Sequence, residues 1–197
     1  MAKILMVTGD GAEALEVMYP YQRLTEEGYK VDIAAPTKKT LHLVVHDFEP
    51  DWETNTEKLG YQIKPHITFA EAKPEEYIGL VIPGGRAPEY IRYDQDLQRI
   101  VKSFFSAKKP VAALCHAGQI LATTQLVKGR TMTAYHLIRS EVIAAGANYV
   151  DQEVVVDDNL VTSRAWPDHP AFMREFVKLL KSAERESPAR ATHGVAV

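Results

Sequence analysis

Cys115 and His116 are adjacent, and they stand where a short apolar run, Val111 to Leu114, gives way to two small residues, Ala117 and Gly118. A residue at a tight turn between a buried strand and a helix is pushed out of the sheet, often in a strained conformation, and its side chain is aimed over a pocket. The helix that follows points its N-terminus at the sulfur, which lowers a cysteine pKa from about 8.5 towards neutrality and raises the thiolate fraction. Ala117 and Gly118 let backbone N–H groups approach a developing oxyanion, and Gly84-Gly85 could present another donor from a neighbouring strand end. That pattern points to nucleophilic thiolate chemistry. The residues by themselves leave a second possibility open, because a lone cysteine also suits a small buried hydrophobe. Nor does the Cys-His dipeptide alone make a hydrogen-bonded pair, since adjacent residues point in different directions.

The elements that must position Cys115 follow from the apolar pattern. Ile4 to Thr8 is a short apolar run ended by Gly9-Asp10-Gly11, the pattern of a buried parallel strand and its loop. Glu13 to Glu27 predicts a helix carrying Leu15, Met18 and Leu24, with a kink or break at Pro20 and an end at Gly28. Val31 to Ala35 is a second strand, completing a βαβ unit. Leu41 to Val45 suits one strand of a hairpin, and His46 to Gly60, polar and aromatic, an insertion loop. Gly79 to Ile82 is a third buried strand stopped by Pro83-Gly84-Gly85. Leu97, Ile100, Val101, Phe104 and Phe105 form one apolar helical stripe, and Val111 to Leu114 is the fourth strand, which delivers Cys115. Helices are expected over Gly118 to Gln125, over Ser140 to Ala145 and around Phe172 to Leu180. Val154 to Val156 and Leu160 to Thr162 are expected as strands joined by a turn at Asp157-Asp158-Asn159. The alternation predicts an α/β fold, a mostly parallel sheet with helices on both faces. One domain is expected over 1–181, with a polar, flexible tail over 182–197.

Composition narrows the function. A chain of 197 residues suits one domain with one core, and a net charge of −3 argues against a dedicated nucleic-acid binder. A single cysteine makes no internal disulfide, so a reducing, cytoplasmic compartment is expected. The apolar start to Val7 is too short for a signal peptide, and no apolar segment approaches a membrane span. Cys, His and carboxylate residues at tight zinc-ligand spacing are absent, so no metal is expected.

Several ordered motifs together resemble the ThiJ/PfpI superfamily. They are Glu13 to Tyr21 with its internal proline, Ile82-Pro83-Gly84-Gly85-Arg86-Ala87-Pro88-Glu89, Ala113-Leu114-Cys115-His116, Val161 to Arg164, and His169-Pro170-Ala171-Phe172. The similarity runs from about Lys3 to Lys181 and looks closest to PfpI proteins and the related plant glyoxalase-type members. It implies a flavodoxin-like three-layer sandwich with Cys115 at a nucleophile elbow. It also implies that Glu13 lies close to the sulfur as a protonated carboxyl, which fits a carboxyl facing a developing thiolate, and that His116 is the second catalytic group. Glu89 from a neighbouring subunit would complete the pocket at an oligomer interface, and the Gly85 and His116 N–H groups would form an oxyanion hole. Gly85, Arg86 and Ala117 are expected to bind substrate, with Ala117 standing where many relatives carry glycine. Glu13 as an ordinary first-turn acid, Glu89 as a loop charge and Arg86 as a surface or anion-binding residue are the competing assignments. His169 is expected to be structural, Tyr19 and Trp166 to pack, and His46, His66 and His136 at most to line the pocket.

The expected function is cofactor-independent glyoxalase or deglycase chemistry on a small reactive carbonyl through a Cys115 thiolate. A PfpI-type cysteine peptidase is the alternative, and a redox sensor or holdase chaperone a third of different class.

Overall fold

Ile4 and Met6 face one side of a central sheet and Leu5 and Val7 the other, and all four are fully buried. This period of two, apolar on both faces, is what a strand covered by helices on either side requires. The structure is a computed structural model and describes residues 1–186. Strand β1 (Lys3–Val7) runs parallel to β2 (Lys30–Ala35) on one side and to β6 (Gly79–Ile82) on the other. Beyond β6 come β7 (Val111–Leu114) and β11 (Leu160–Ser163), both parallel, and then β10 (Val154–Asp157), the antiparallel edge. A two-residue strand, β5 (Ile67–Thr68), adds to β2. The order across the sheet is β10-β11-β7-β6-β1-β2-β5.

Helices α1 (Ala14–Glu26) and α6 (His169–Glu186) cover one face, where Val17, Leu24, Phe172, Phe176 and Leu180 pack on Ile4, Met6, Val81 and Ala112. Helices α3 (Gln95–Ser106), α4 (Gly118–Thr123) and α5 (Arg139–Ala144) cover the other. The predicted stripe of α3 is buried in full, and the Asp94 carboxylate caps the helix by accepting from Leu97 N at 3.0 Å, a bond worth about 1 kcal/mol. A short helix missing from the sequence pattern, α2 (Ala87–Ile91), leaves the end of β6.

Three local expectations change. Helix α1 is continuous through Pro20. The proline lacks the N–H that would bond the Glu16 carbonyl, but its ring is buried on the core side, so packing holds the helix together. The expected insertion loop is largely a β-hairpin: β3 (Leu41–Phe48) pairs antiparallel with β4 (Asn55–Ile63). Its polar outward residues hid the strands, because most of the ribbon is solvated rather than buried on one face. The hairpin shares no ladder with the main sheet. It is attached by Gly11 N to His42 O at 2.8 Å and Val44 N to Ala12 O at 2.9 Å. Last, α6 runs on to Glu186, past Ser182, where the tail was expected to begin; the remainder of that tail lies outside the described residues.

Candidate active site

The carboxyl ends of β1, β6 and β7 converge on Cys115. Its φ of 56° is the left-handed conformation, which costs a side chain with a Cβ roughly 1–2 kcal/mol. The reversal converts the extended Leu114 into a 3-10 turn over Cys115–Ala117 that leads into α4. Tyr135 N donates to the Cys115 carbonyl at 3.3 Å, which helps hold the turn. The predicted strained elbow is therefore present. Cys115 is only 4% exposed, and the backbone N–H groups of Gly85 and His116 lie near enough to its thiol to favour the thiolate.

Two glycines make that approach possible. A Cβ on Gly84 would lie 2.5 Å from Cys115 Cβ and 2.6 Å from Glu16 Oε2. Gly85 has φ 72°, and a Cβ there would lie 2.6 Å from the Gly11 carbonyl oxygen.

The carboxyl beside the sulfur belongs to Glu16, not Glu13. Glu13 precedes the helix as its N-cap, and its side chain turns back to accept from Leu15 N at 3.2 Å. Glu16 lies in the first turn with no exposed surface, facing the sheet end, and accepts from Gly84 N at 2.8 Å while facing the Cys115 thiol. Its other oxygen, Oε1, is buried without a nitrogen or oxygen partner among the described residues. Burial, reinforced by the Glu13 charge, pushes the Glu16 carboxyl up to about 8. Burial and Glu16 also push the Cys115 thiol up, against the opposing pull of the two N–H groups. Two buried acids in contact share at most one negative charge near neutrality. The expected fall in the Cys115 pKa is thus reversed in the resting site, because the short turn and six-residue helix after it are outweighed by burial beside a carboxyl.

His116 Nδ1 lies 3.3 Å from the sulfur, so the neighbours in sequence do meet. Burial, and then repulsion from His46, push His116 down to about 4, leaving a neutral ring able to accept the thiol proton. The ring leans on Tyr135 at 5.0 Å between centroids.

The hairpin walls the site. His46 on β3 places Nδ1 2.7 Å from Glu13 Oε2 and Nε2 3.1 Å from Glu57 Oε2, and Glu57 takes both arms of the Arg86 guanidinium at 2.6 Å each. Trp166, in the turn before α6, stacks on both Phe48 and His46. Two cavities, of about 630 and 380 Å³, lie beside α2 and between α1 and α6, and neither is lined by Cys115.

A family model described as the DJ-1/PfpI family matches residues 2–179. The chain belongs to the DJ-1/PfpI family. A deglycase from Pyrococcus horikoshii is 44% identical over 179 residues, covering 91% of this chain and 99% of that one. A Bacillus subtilis protein named "Putative cysteine protease YraA" is 38% identical, with 91% and 98% covered. Among solved structures, a ThiJ/PfpI domain protein from Brachyspira murdochii matches with a TM-score of 0.80 at 22% identity, covering 92% of this chain and 96% of that one. Drosophila melanogaster DJ-1beta matches with a TM-score of 0.76 at 22% identity, covering 94% and 96%. These two show the same flavodoxin-like fold.

Within this DJ-1/PfpI chain the sequence-predicted residues divide clearly. Cys115, His116 and Gly85 come together. Ala117 is fully buried behind the elbow. Glu89 is exposed on α2, and its carboxylate has no hydrogen-bond or ion-pair partner among the described residues. Arg86, expected to bind substrate, spends its guanidinium on Glu57 and reaches the site only through it. His169 opens α6, stacks on Tyr19 at 5.1 Å and is pushed down to about 4 by burial, as a structural histidine. His66 accepts from Ile33 N, away from the sulfur. Sequence reasoning missed Glu16 and Glu57. Glu16 did leave a signal: Glu16, Pro20 and Leu24 fall at i, i+4 and i+8, so an acid stands in the buried stripe of α1.

Proposed function

We infer that this chain is a cysteine-dependent enzyme acting on small reactive carbonyls, with glyoxalase- or deglycase-type chemistry at Cys115. One observation carries the reading: a buried thiol sits between a carboxyl kept protonated, Glu16, and a neutral imidazole, His116, 3.3 Å from the sulfur.

The arrangement suits an aldehyde such as methylglyoxal. His116 takes the thiol proton as the sulfur attacks the aldehyde carbon, forming the C–S bond. The carbonyl oxygen takes a proton from Glu16, giving a hemithioacetal. Glu16, now a carboxylate, takes the C–H proton of that carbon while protonated His116 gives its proton to the adjacent ketone oxygen, forming an enediol; Glu16 then returns a proton to the former ketone carbon as His116 takes the hydroxyl proton from the sulfur-bearing carbon, leaving a thioester of a 2-hydroxy acid on Cys115. Water cleaves the thioester, releases the 2-hydroxy acid and restores the thiol. The sum is aldehyde plus water to hydroxy acid, with no net oxidation. The Gly85 and His116 N–H groups, already near the sulfur, are placed to receive an oxyanion formed beside it.

The deglycase name of the Pyrococcus relative supports this reading, and the protease name of the Bacillus relative supports amide cleavage by the same thiol. The burial of Cys115 favours a small substrate over an extended peptide chain. Glu89, exposed and unpartnered, suits donation to the site of a second copy in a homo-oligomer. A chain with one reduced cysteine suits the cytoplasm.

Wild type and Cys115→Ala are incubated with methylglyoxal and, separately, with labelled casein. Lactate formed by wild type and not by Cys115→Ala supports the carbonyl reading. Casein cleavage without lactate replaces it with the peptidase. Consumption of neither substrate, with rapid peroxide modification of Cys115, replaces both with a redox sensor.

A further inference from the structure

His46 lies outside the catalytic turn, yet both its ring nitrogens are engaged. Nδ1 faces Glu13 Oε2 at 2.7 Å and Nε2 faces Glu57 Oε2 at 3.1 Å. A neutral imidazole has one donor and one acceptor nitrogen, whereas ionised carboxyl oxygens only accept. Two such partners select the doubly protonated ring, and the Glu13 hydrogen bond holds the His46 pKa above the ordinary histidine value. The residue is fixed from three sides, by Glu13, Glu57 and Trp166. Its own backbone N–H bonds Glu13 Oε2 at 3.0 Å. Glu57 holds it from β4, and Arg86 holds Glu57 from the start of α2. Trp166 stacks on it at 6.4 Å with the ring planes 18° apart.

We propose that His46 is a positioning residue for the Cys115 reaction: a cation clamped between Glu13 and Glu57 that docks the β3–β4 hairpin beside the site and sets the charge on the His116 side of it. The role rests on the thiol chemistry inferred above and adds to it a determinant carried by the hairpin. The groups facing His46 are Glu13 and Glu16 from the start of α1, Glu57 from β4 with Arg86 behind it, and His116 from the elbow. Those facing His116 are the Cys115 thiol, the Tyr135 ring with His136 behind it, Glu141 and His46. Glu141 favours a protonated His116, although Arg92 and Gln119 hold its two oxygens at 2.8 and 2.9 Å. His46 opposes it. With His46 charged, His116 stays a proton acceptor. Without it, the pull of Glu141 is no longer opposed, and His116 fills its Nδ1 with a proton at higher pH.

The test compares the full chain with His46→Gln, which removes the charge, and His46→Arg, which keeps it and can fork to carboxylates. The His116 titration is followed by NMR on protein labelled at the histidine ring, a readout that needs no substrate. The acid limb of kcat/KM for methylglyoxal is followed in parallel. His46→Gln should raise the His116 midpoint by about one pH unit, about tenfold in proton affinity, and move the acid limb upward with it. His46→Arg should keep both near wild type. An unmoved His116 midpoint in His46→Gln overturns the role, and so does an equal shift in His46→Arg, which would make packing rather than charge responsible. If the midpoints behave as expected while wild type consumes no methylglyoxal, the carbonyl reading fails and the electrostatic role of His46 stands.

Discussion

Glu16→Gln isolates what a buried carboxyl beside a thiol does to this protein. Glu16 has no exposed surface and its carboxyl is pushed up from 4.5 to about 8. Below about pH 4.5 the folded and unfolded chains both hold the proton, and the group contributes nothing to the pH dependence. Between 4.5 and about 8 the unfolded chain releases it while the folded chain keeps it. The folded state then binds more protons, so stability falls as pH rises, by about 1.4 kcal/mol per unit for this one group. At pH 7, two and a half units into that window, the accumulated penalty is roughly 3 kcal/mol. Above about pH 8 both states are ionised and the slope vanishes. Glutamine has nearly the same shape. Its carbonyl can accept from Gly84 N, its amide can donate to the sulfur, and it does not ionise. Urea unfolding of wild type and Glu16→Gln at pH 5, 6, 7 and 8 should show a variant only slightly favoured at pH 5 and more stable by roughly 3 kcal/mol at pH 7. Methylglyoxal turnover by the same variant should drop on the order of a hundredfold, since an amide cannot pass a proton. Parallel stability curves across the range would mean that Glu16 is ionised in the folded protein, and the protonated-carboxyl account would be wrong.

Other changes probe the rest of the site. Gly84→Ala would place a methyl carbon 2.5 Å from Cys115 Cβ; overpacking of this kind costs about 1–3 kcal/mol, read as a lowered Tm together with loss of Cys115 alkylation by iodoacetamide. Glu89→Gln should lower turnover in the assembled protein and leave the unfolding free energy within about 0.5 kcal/mol of wild type; full activity in a verified monomer would remove Glu89 from the site. Glu57→Gln should weaken the grip of Arg86 and His46 on the hairpin, seen as faster amide exchange over residues 41–63 with the main-sheet strands unchanged.

The parts of the fold that the sequence announced are those where one physical demand acts alone. Strands β1, β6 and β7 are short apolar runs ended by glycine, proline or the reactive turn, and α3 carries an unbroken apolar stripe. The elbow was legible for the same reason: Leu114 to Gly118 passes from large apolar to small residues at a strand end. Glu13 and Glu16 were confused because two acids three positions apart both suit the start of a helix. Only the position of the first helical residue, Ala14, decides which one caps and which one turns inward. The start of β3 was legible because Leu41, Leu43 and Val44 are buried, whereas β4 was hidden because it is solvated along its length and held chiefly by its partner strand. Its chemistry was hidden with it, since His46 and Glu57 lie eleven residues apart in sequence and meet only across the ladder.

The separateness of that ribbon has a further meaning. The elbow at the end of β7 carries the sulfur and its imidazole and the first turn of α1 carries the carboxyl, whereas the wall beside them is a separate ribbon, residues 41–63, with its own ladder and its own cation. A ribbon joined in this way can vary along its solvated strand while the residues that meet the site, His46 and Glu57, and the buried Leu41, Leu43 and Val44 are kept. Chimaeras that swap this segment between relatives should therefore trade substrate preference while inheriting the same nucleophile.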